Sequence, residues 1–274
     1  MRFTYCPHCG EKLTKKEIGD EGLIPFCVKC QIPLWEMFTT SIICGVINEY
    51  NEIALLRQKY VSETKYVCVA GIMKIGESGE EAAVREIKEE IGLDVKKLQY
   101  IKSYPYDKKE MLMLGYRADV KKAEMRLSGE VDDAGWFPLS EAPGYLREGG
   151  IAWQLVKQII EDSALTEILG QIVNVTVDRP LGSCHPKHKD IVYPVNYGYI
   201  KGVMAPDGEE QDVYILGIDK PVKEFTGKII AVVHRFDDVE EKWVAAPENM
   251  TFSREDIREQ ILFQEKYFDF EIRM

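Results

Sequence analysis

The stretch "GIMKIGESGEEAAVREIKEEIGL" (71–93) decides the fold of the central part of this 274-residue chain. After Gly79 it contains helix-forming residues and no proline, and Gly92 stands where a helix would end. The stretch therefore predicts a helix. Three apolar residues recur at helical spacing and predict its buried stripe: Val84, Ile87 and Ile91.

Three carboxylates of this helix fall on one patch of its surface. Glu86, Glu89 and Glu90 are separated by three and four positions, so their side chains are neighbours. Like charges so placed repel each other, whereas a purely structural helix would alternate the signs of its charges. Convergent carboxylates instead favour a hard cation such as Mg²⁺, which can polarise a phosphoryl oxygen and position an attacking water. A solvated glutamate-rich helix is the alternative interpretation.

The same stretch resembles a complete Nudix box, G-x5-E-x7-R-E-I-x-E-E-I-G-L. Its defined positions are filled by Gly71, Glu77, Arg85, Glu86, Glu89, Glu90, Gly92 and Leu93. The resemblance implies an α/β/α sandwich that hydrolyses a nucleoside diphosphate linked to another group. It implies Mg²⁺ or Mn²⁺ on Glu86, Glu89 and Glu90, and a carboxylate that accepts the proton of the attacking water. It also implies that Glu77 pairs with Arg85 and that Gly71 lies beside the substrate.

Two C-x2-C pairs precede the box, in "CPHC" (6–9) and "CVKC" (27–30). In a reducing compartment this spacing is typical of a tetrahedral four-thiolate zinc site, which is structural because no coordination position stays open. A redox dithiol or incidental cysteines are the alternatives. The predicted ligands are Cys6, Cys9, Cys27 and Cys30. We assign residues 1–35 to a zinc ribbon, which is too small to form a core without metal.

A zinc ribbon ahead of a Nudix domain is similar to the NADH pyrophosphatase family. In "SYPYDKKEMLM" (103–113) part of that family's substrate motif is kept, with Tyr106 at the position of its Trp, but "DKK" replaces its P-F-P core. "EVDDAGWF" (130–137) is similar to the family's E-I-x-E-A-x-W, which implies Glu130 as a further magnesium ligand. The resemblance favours cleavage of NAD(H) to NMN(H) and AMP, with Tyr106 at the substrate. ADP-ribose or another nucleotide is the alternative.

The last third of the chain carries a second resemblance. "YPVNYGYIKGVMAPDGEEQDVYILG" (193–217) is similar to family I inorganic pyrophosphatases, which implies a β-barrel. Glu209 and Glu210 replace the second Asp and the Pro of that family's D-G-D-P-x-D, and Phe268 replaces the Lys of its Y-K pair. The resemblance implies metal ligands at Asp207, Glu209, Asp212, Asp237 and Glu240. It implies substrate contacts at Tyr197, Lys242 and Tyr267.

The fusion leaves three alternatives for how these parts act. Cleavage of NADH releases no pyrophosphate, whereas cleavage of a nucleoside triphosphate to a monophosphate does, so an active C-terminal pyrophosphatase favours a triphosphate substrate. An inactive C-terminal domain would be a binding or dimerisation module. A third alternative is a dinucleotide cap on RNA, which the formal net charge of −11 disfavours.

We therefore expect an α+β multidomain metallohydrolase that binds a nucleotide diphosphate. The predicted domains are the zinc ribbon (1–35), the Nudix α/β/α sandwich (36–163) and the pyrophosphatase-type barrel (164–274). No apolar run approaches the roughly 20 residues that cross a bilayer, and the N-terminus shows no signal peptide, so we expect a cytoplasmic protein without membrane contact. The acidic balance argues against general nucleic-acid binding. Both resemblances imply a homodimer.

Overall fold

The computed structural model describes residues 3–35, 37–186, 188–205, 207–238 and 241–274. The chain divides into two compact units, Met1–Ile159 and Ile160–Met274. The boundary falls inside the helix Ile151–Ile168, which continues through residues 163–167, where the sequence pattern predicted a change of element. Within the described residues, no helix is both long enough and apolar enough to cross a membrane.

The N-terminal part of the first unit is a small antiparallel sheet. It contains β1 (Thr14–Glu17), β2 (Leu23–Cys27) and β3 (Ile32–Pro33), in the order β1-β2-β3. Its buried residues are Cys6, Phe26, Cys27 and Leu34. Four side chains cannot stabilise an independent fold, which agrees with a segment that depends on a bound metal.

A six-stranded mixed sheet forms the centre of the first unit. Its strands are β4 (Thr39–Ile47), β5 (Glu52–Arg57), β6 (Val69–Ile72), β7 (Val95–Tyr106), β8 (Met111–Val120) and β9 (Asp133–Pro138). The order is β7-β8-β4-β5-β9, and β6 pairs with β4 beside that path. Only the β4–β8 pairing is parallel among the described strands of this sheet.

Helices cover both faces of this sheet. They are α1 (Gly79–Ile91), the short α2 (Ala142–Tyr145) and α3 (Ile151–Ile168). Cys44 of β4 packs in one core cluster with Ala83 and Ile87 of α1. A Cβ on the next residue, Gly45, would lie 2.5 Å from Ile159 Cδ1 of α3. Because consecutive strand residues point to opposite faces, α1 and α3 lie on opposite sides, and the predicted α/β/α sandwich is present.

Helix α1 has well-defined ends. Ser78 and Glu81 form a capping box at its N-terminus, and Gly92 ends it in the left-handed conformation at φ 73°. The predicted buried stripe is wrong at Val84, which is 44% exposed. Small residues on the buried face let the helix approach the sheet closely. That face consists of Gly79, Ala82, Ala83, Ile87, Glu90 and Ile91.

The second unit is built on a closed ring of strands. These are β10 (Ile172–Arg179), β11 (Asn196–Met204), β12 (Glu210–Ile215), β13 (Glu224–Arg235), β14 (Glu241–Ala246) and β15 (Phe270–Arg273). The order β10-β11-β12-β14-β13 closes through a β10–β13 pairing, and β15 extends β13. Helix α4 (Arg254–Glu265) buries Ile257 and Ile261. The ring is a five-stranded β-barrel, while its kinship with pyrophosphatases stays a prediction.

Candidate active site

An arginine of α1 fixes the loop that precedes the helix. Arg85 donates hydrogen bonds to both carboxylate oxygens of Glu77, at 2.6 and 2.8 Å, and to the carbonyl oxygen of Ile72 at 3.2 Å. The backbone N–H of Lys74 donates to the same carboxylate at 2.9 Å. These contacts, led by the guanidinium, lower the pKa of Glu77 to about 2. Glu77 therefore stays ionised and holds the loop before α1 in place.

Glu86 lies against the backbone of β6, where only glycine leaves room for it. A Cβ on Gly71 would lie 2.0 Å from Glu86 Cδ, so any other residue at position 71 would displace this carboxylate. Glu86 Oε1 also accepts a hydrogen bond from Arg85 Nη1 at 2.6 Å. Glu89 is more open, with 53% of its side chain exposed, and it accepts from the same Arg85 nitrogen at 3.0 Å.

Glu90 is the buried member of the group. It is 5% exposed, and its Oε1 accepts a hydrogen bond from Gln58 Nε2 at 3.2 Å. Its Oε2 is buried and has no hydrogen-bond partner in the described part of the chain. Burial, followed by the charges of Glu86 and Glu130, raises the pKa of Glu90 to about 7. A buried carboxylate oxygen without a partner is costly unless something else binds it.

A backbone segment brings Glu130 to the end of α1. The N–H of Arg126 donates to the carbonyl of Ile91 at 2.9 Å, and the N–H of Ser128 donates to the carbonyl of Glu90 at 3.0 Å. These bonds satisfy helix-terminal carbonyls and fix the chain two residues before Glu130. Glu130 itself is exposed and lies close enough to contribute to the raised pKa of Glu90.

These carboxylates fit a hard divalent cation. The unpartnered Oε2 of Glu90 offers an acceptor, and the space left by Gly71 admits a second carboxylate beside it. Oxygen donors of this kind are what Mg²⁺ and Mn²⁺ prefer. Glu86 and Glu89 both accept hydrogen bonds from Arg85. The predicted pair of Glu77 and Arg85 is formed, and Gly71 lies beside Glu86.

The four predicted zinc ligands lie together. Across residues 3–35, 37–186, 188–205, 207–238 and 241–274, they are the one group of three or more His, Cys, Asp or Glu side chains whose ligand atoms all lie within 4.8 Å of one another: Cys6, Cys9, Cys27 and Cys30. The Sγ–Sγ distances are 3.9 Å for Cys6–Cys30 and 3.5 Å for Cys9–Cys27. A tetrahedral site with Zn–S bonds of about 2.3 Å places its sulfurs about 3.8 Å apart, so the cluster fits zinc.

The barrel unit contains a separate buried polar cluster. The guanidinium of Arg179 lies 5.0 Å from the ring centre of Tyr197 and 5.9 Å from that of Tyr193. Lys242 pairs with Asp212, and its Nζ lies 5.7 Å from the Tyr197 ring. Both tyrosines are fully buried. Four buried atoms here have no hydrogen-bond partner among the residues described: Arg179 Nε, Ser183 Oγ, Tyr193 OH and Tyr197 OH.

The structure brings together three of the predicted C-terminal site residues. Tyr197, Asp212 and Lys242 belong to the buried cluster. Asp207 lies in an exposed turn, where its carboxylate accepts the N–H of the exposed Glu209 at 3.0 Å. The other described residues among those predicted are in different surroundings. Asp237 accepts the N–H of Asp269 at 3.2 Å, Tyr267 is 58% exposed, and Glu240 lies outside the described residues.

Tyr106 ends β7 and is half-buried opposite Met111 of β8. The following "DKK" forms a 3-10 turn, so this part of the degraded substrate motif is a strand connection.

Two polar residues of these sites carry no sequence prediction of a role. Gln58 holds Glu90, while Tyr193 lies in the barrel cluster beside Arg179, a cation that the sequence offers as a replacement for the missing Lys of the Y-K pair. Gln58 ends a predicted strand, which is a weak signal. Tyr193 matches the first tyrosine of the pyrophosphatase pattern and could have been chosen with Tyr197.

Comparison with known proteins finds similarity in the first unit. The model of the NUDIX domain family matches residues 37–157. The NAD-capped RNA hydrolase NudC of Vibrio atlanticus is 29% identical over 163 residues, which cover 59% of this chain and 58% of that protein. The NAD-capped RNA hydrolase NudC of Haemophilus influenzae is 31% identical over 164 residues, 57% of this chain and 60% of that one.

The chain thus spans little more than half the length of the curated relatives it matches. Among solved structures, a NUDIX hydrolase from Nitrosomonas europaea is 19% identical, with a TM-score of 0.49, covering 59% of this chain and 93% of that one.

Proposed function

We propose that the Nudix domain hydrolyses the diphosphate bond of a dinucleotide of the NAD(H) type to NMN(H) and AMP. Water attacks one phosphorus of the P–O–P bridge, the bond from that phosphorus to the bridging oxygen breaks, and each product carries one phosphate. The observation that carries the proposal is the buried, unpartnered Oε2 of Glu90 beside Glu86 in the space left by Gly71.

The carboxylates of the site would bind a cation and accept a proton. Glu86, Glu89, Glu90 and Glu130 would hold a divalent cation. When bound, Mg²⁺ or Mn²⁺ would polarise a phosphoryl oxygen and acidify a coordinated water. One carboxylate of the group accepts the proton of the attacking water. Arg85 and Glu77 hold the loop that carries Lys74 and Ile72, which keeps the backbone near the site fixed.

The names of the relatives support a substrate that contains NAD. Those proteins are named for NAD-capped RNA, which carries the same diphosphate bond as free NAD⁺. The net charge of −11 on this chain opposes RNA binding, so we propose the free dinucleotide as the substrate.

Phosphorus NMR of the full chain with Mg²⁺ tests this proposal. NADH, NAD⁺, ADP-ribose, a nucleoside triphosphate and NAD-capped RNA are offered separately. We expect AMP and a nicotinamide mononucleotide from the free dinucleotides. Hydrolysis of triphosphates alone would overturn the assignment of a dinucleotide substrate. Faster cleavage of NAD-capped RNA than of the free dinucleotides at low salt would instead indicate that the substrate is a capped RNA end.

We also propose that the four-cysteine cluster holds structural zinc. Elemental analysis of the purified chain is expected to find one zinc per polypeptide. Removal of the metal is expected to increase hydrogen exchange in residues 3–35 while the carboxylate site remains assembled. Absence of zinc from the protein purified without chelator would contradict this assignment.

A second candidate function is hydrolysis of inorganic pyrophosphate by the barrel. The observation in its favour is the buried cluster, in which Arg179, Lys242 and two tyrosine hydroxyls could meet a phosphate. The departures at Glu209, Glu210 and Phe268 weigh against it. Release of orthophosphate from pyrophosphate, lost in Lys242→Gln with NAD⁺ cleavage unchanged, would support it. Tight binding of pyrophosphate without hydrolysis would instead make the barrel a binding module.

A further inference from the structure

Two segments that are distant in sequence meet at Glu90, the buried carboxylate of the proposed cation site. Gln58 follows the last residue of β5, is 6% exposed and donates to Glu90 Oε1 at 3.2 Å. The N–H of Ser128 donates to the carbonyl oxygen of Glu90 at 3.0 Å, two residues before Glu130. One segment therefore holds the side chain of Glu90, and the other holds its backbone.

Asp132 joins these two segments. Its N–H donates to the carbonyl oxygen of Arg57 at 2.9 Å, and its carboxylate accepts the N–H of Lys59 at 2.7 Å. The two contacts lie immediately before and immediately after Gln58 in the sequence. Asp132 therefore holds the backbone on both sides of the residue that orients Glu90.

The strand register explains why a side chain is needed at this point. Strands β5 and β9 pair antiparallel as far as Arg57 and Asp133, where the ladder ends. Gln58 and Asp132 are the next residues of the two segments, so they lie opposite each other just beyond the last pair. There the carboxylate of Asp132 accepts the N–H of Lys59 in place of a strand carbonyl.

The same side chain also forms an ion pair, which fixes the backbone much less. Lys59 Nζ lies 3.5 Å from Asp132 Oδ1, but 75% of the lysine side chain is exposed. An exposed ion pair contributes little, because water screens the charges and the long side chain loses freedom. The charge-assisted bond from a backbone N–H to the carboxylate is stronger and acts on the main chain directly.

The segment that carries Glu130 is held at three points. Ser128 bonds to the carbonyl of Glu90, Val131 is 6% exposed in the core cluster of α1, and Asp132 bonds to the end of β5. Glu130 lies between two of these points. Its position therefore depends on Asp132 as well as on the contacts with α1.

We propose that Asp132 is a positioning residue for the divalent cation. It binds no metal itself, but it sets Gln58 and the segment of Glu130 in one arrangement, so that Glu90 and Glu130 converge on the same ion. The inference rests on the proposed function for the presence of that ion. It adds to the site a residue that acts through its neighbours, one step further from the metal.

Binding of Mn²⁺ to the full chain tests this role without requiring hydrolysis. Electron paramagnetic resonance measures the free Mn²⁺, and the binding that is lost in Glu90→Gln is assigned to this site. Asp132→Ala is expected to weaken that binding about tenfold, the lower end of the effect of residues that orient metal ligands. Asp132→Asn keeps an oxygen that can accept the N–H of Lys59 and should recover most of the affinity.

Two control variants separate the backbone contact from an effect of charge. Lys59→Ala removes the ion pair and keeps the N–H, and Asp133→Ala removes a charge from the adjacent exposed residue. Both should bind Mn²⁺ within about twofold of wild type. Unchanged binding in Asp132→Ala would overturn the proposal. So would an equal loss in Lys59→Ala or Asp133→Ala, which would assign the effect to charge.

Hydrogen exchange separates positioning from a general loss of stability. In EDTA, Asp132→Ala should exchange faster in residues 57–62 and 126–132 while α1 stays protected. Faster exchange throughout the first unit would show a structural role and overturn the proposal. In wild type, Mg²⁺ should slow exchange in both segments together, and slower exchange in only one of them would also overturn it. If Mn²⁺ binding depends on Asp132 yet no dinucleotide is cleaved, the proposed hydrolysis fails and this inference stands.

Discussion

The carboxylate group on α1 and the buried cluster of the barrel both contain polar atoms without hydrogen-bond partners, but of opposite kinds. On α1 the unpartnered atom is an acceptor, Glu90 Oε2. In the barrel the unpartnered atoms are the guanidinium N–H of Arg179 and three hydroxyl groups, all of which can donate. A buried acceptor is matched to a cation, whereas a cluster of donors is matched to an anion.

This difference implies that the two regions would bind phosphate in different ways. The carboxylates of α1 repel a phosphate unless a cation lies between them. In the second candidate function, the barrel cluster would instead bind a phosphate directly, through Arg179, Lys242 and the tyrosine hydroxyls. Burial raises the pKa of Tyr197 well above its usual value, so its hydroxyl remains a neutral donor at physiological pH.

The largest expected effect is on a barrel cluster in which every charge is paired. Arg235 is 2% exposed and donates to both carboxylate oxygens of the fully buried Glu265, at 2.7 and 2.8 Å. Arg235→Met leaves a buried carboxylate without its cation and should cost about 3–5 kcal/mol of barrel stability. Urea unfolding followed by tryptophan fluorescence measures it.

The double variant Arg235→Met/Glu265→Gln is the control for that measurement. It removes both charges and should recover much of the lost stability. If Arg235→Met were as stable as wild type, the Arg235–Glu265 pair would contribute nothing measurable to barrel stability. The contrast between paired and unpartnered buried polar groups would then have no energetic basis.

Next in size is Glu90→Gln on the carboxylate side. Loss of the charge should lower kcat by on the order of 10²–10³ because the cation loses its most buried ligand. The metal-free protein should be as stable as wild type or more stable, since a buried carboxylate with one unpartnered oxygen becomes a neutral amide. Steady-state kinetics and thermal unfolding in EDTA report the two effects. Full activity in Glu90→Gln would remove this residue from the cation site.

The sequence predicted the carboxylate helix well because its evidence is local. The box places Glu86, Glu89 and Glu90 on one helix face, and helical periodicity is independent of the rest of the fold. The sequence could not show which of the three glutamates is buried. The burial of Glu90 depends on Gln58 and on the segment near Ser128, both of which are distant in sequence. The buried stripe failed at Val84 for the same reason, since packing on the sheet selected Ala83.

The barrel site was harder to predict. Its cluster combines Arg179 of β10, Tyr197 of β11 and Lys242 of β14, which meet only when the ring of strands closes. Motif matching chose acidic residues in exposed turns, such as Asp207 and Glu209, and passed over the buried Tyr193.

A smaller effect is expected from the residue that orients Glu90. Gln58→Met removes the donor to Glu90 Oε1 while keeping the size of the side chain. The Mg²⁺ concentration for half-maximal activity should rise about 10- to 100-fold, as for other residues that orient metal ligands. Gln154→Met is the matched control, because Gln154 is exposed and donates only to a loop carbonyl among its described contacts. An unchanged Mg²⁺ requirement in Gln58→Met would show that burial alone orients Glu90.

The smallest expected effect separates the barrel tyrosines from one another. The Tyr197 hydroxyl has no partner in the described residues, so Tyr197→Phe should change unfolding free energy by less than about 1 kcal/mol. Tyr214→Phe is the control: its hydroxyl donates to Glu265, and loss of a bond to a charged group should cost about 1.5–3 kcal/mol. Stabilisation of the barrel by added orthophosphate should weaken in Tyr197→Phe. Equal destabilisation by both variants, with stabilisation by phosphate unchanged, would contradict this expectation. It would mean that the Tyr197 hydroxyl is hydrogen-bonded within the protein and does not bind an anion.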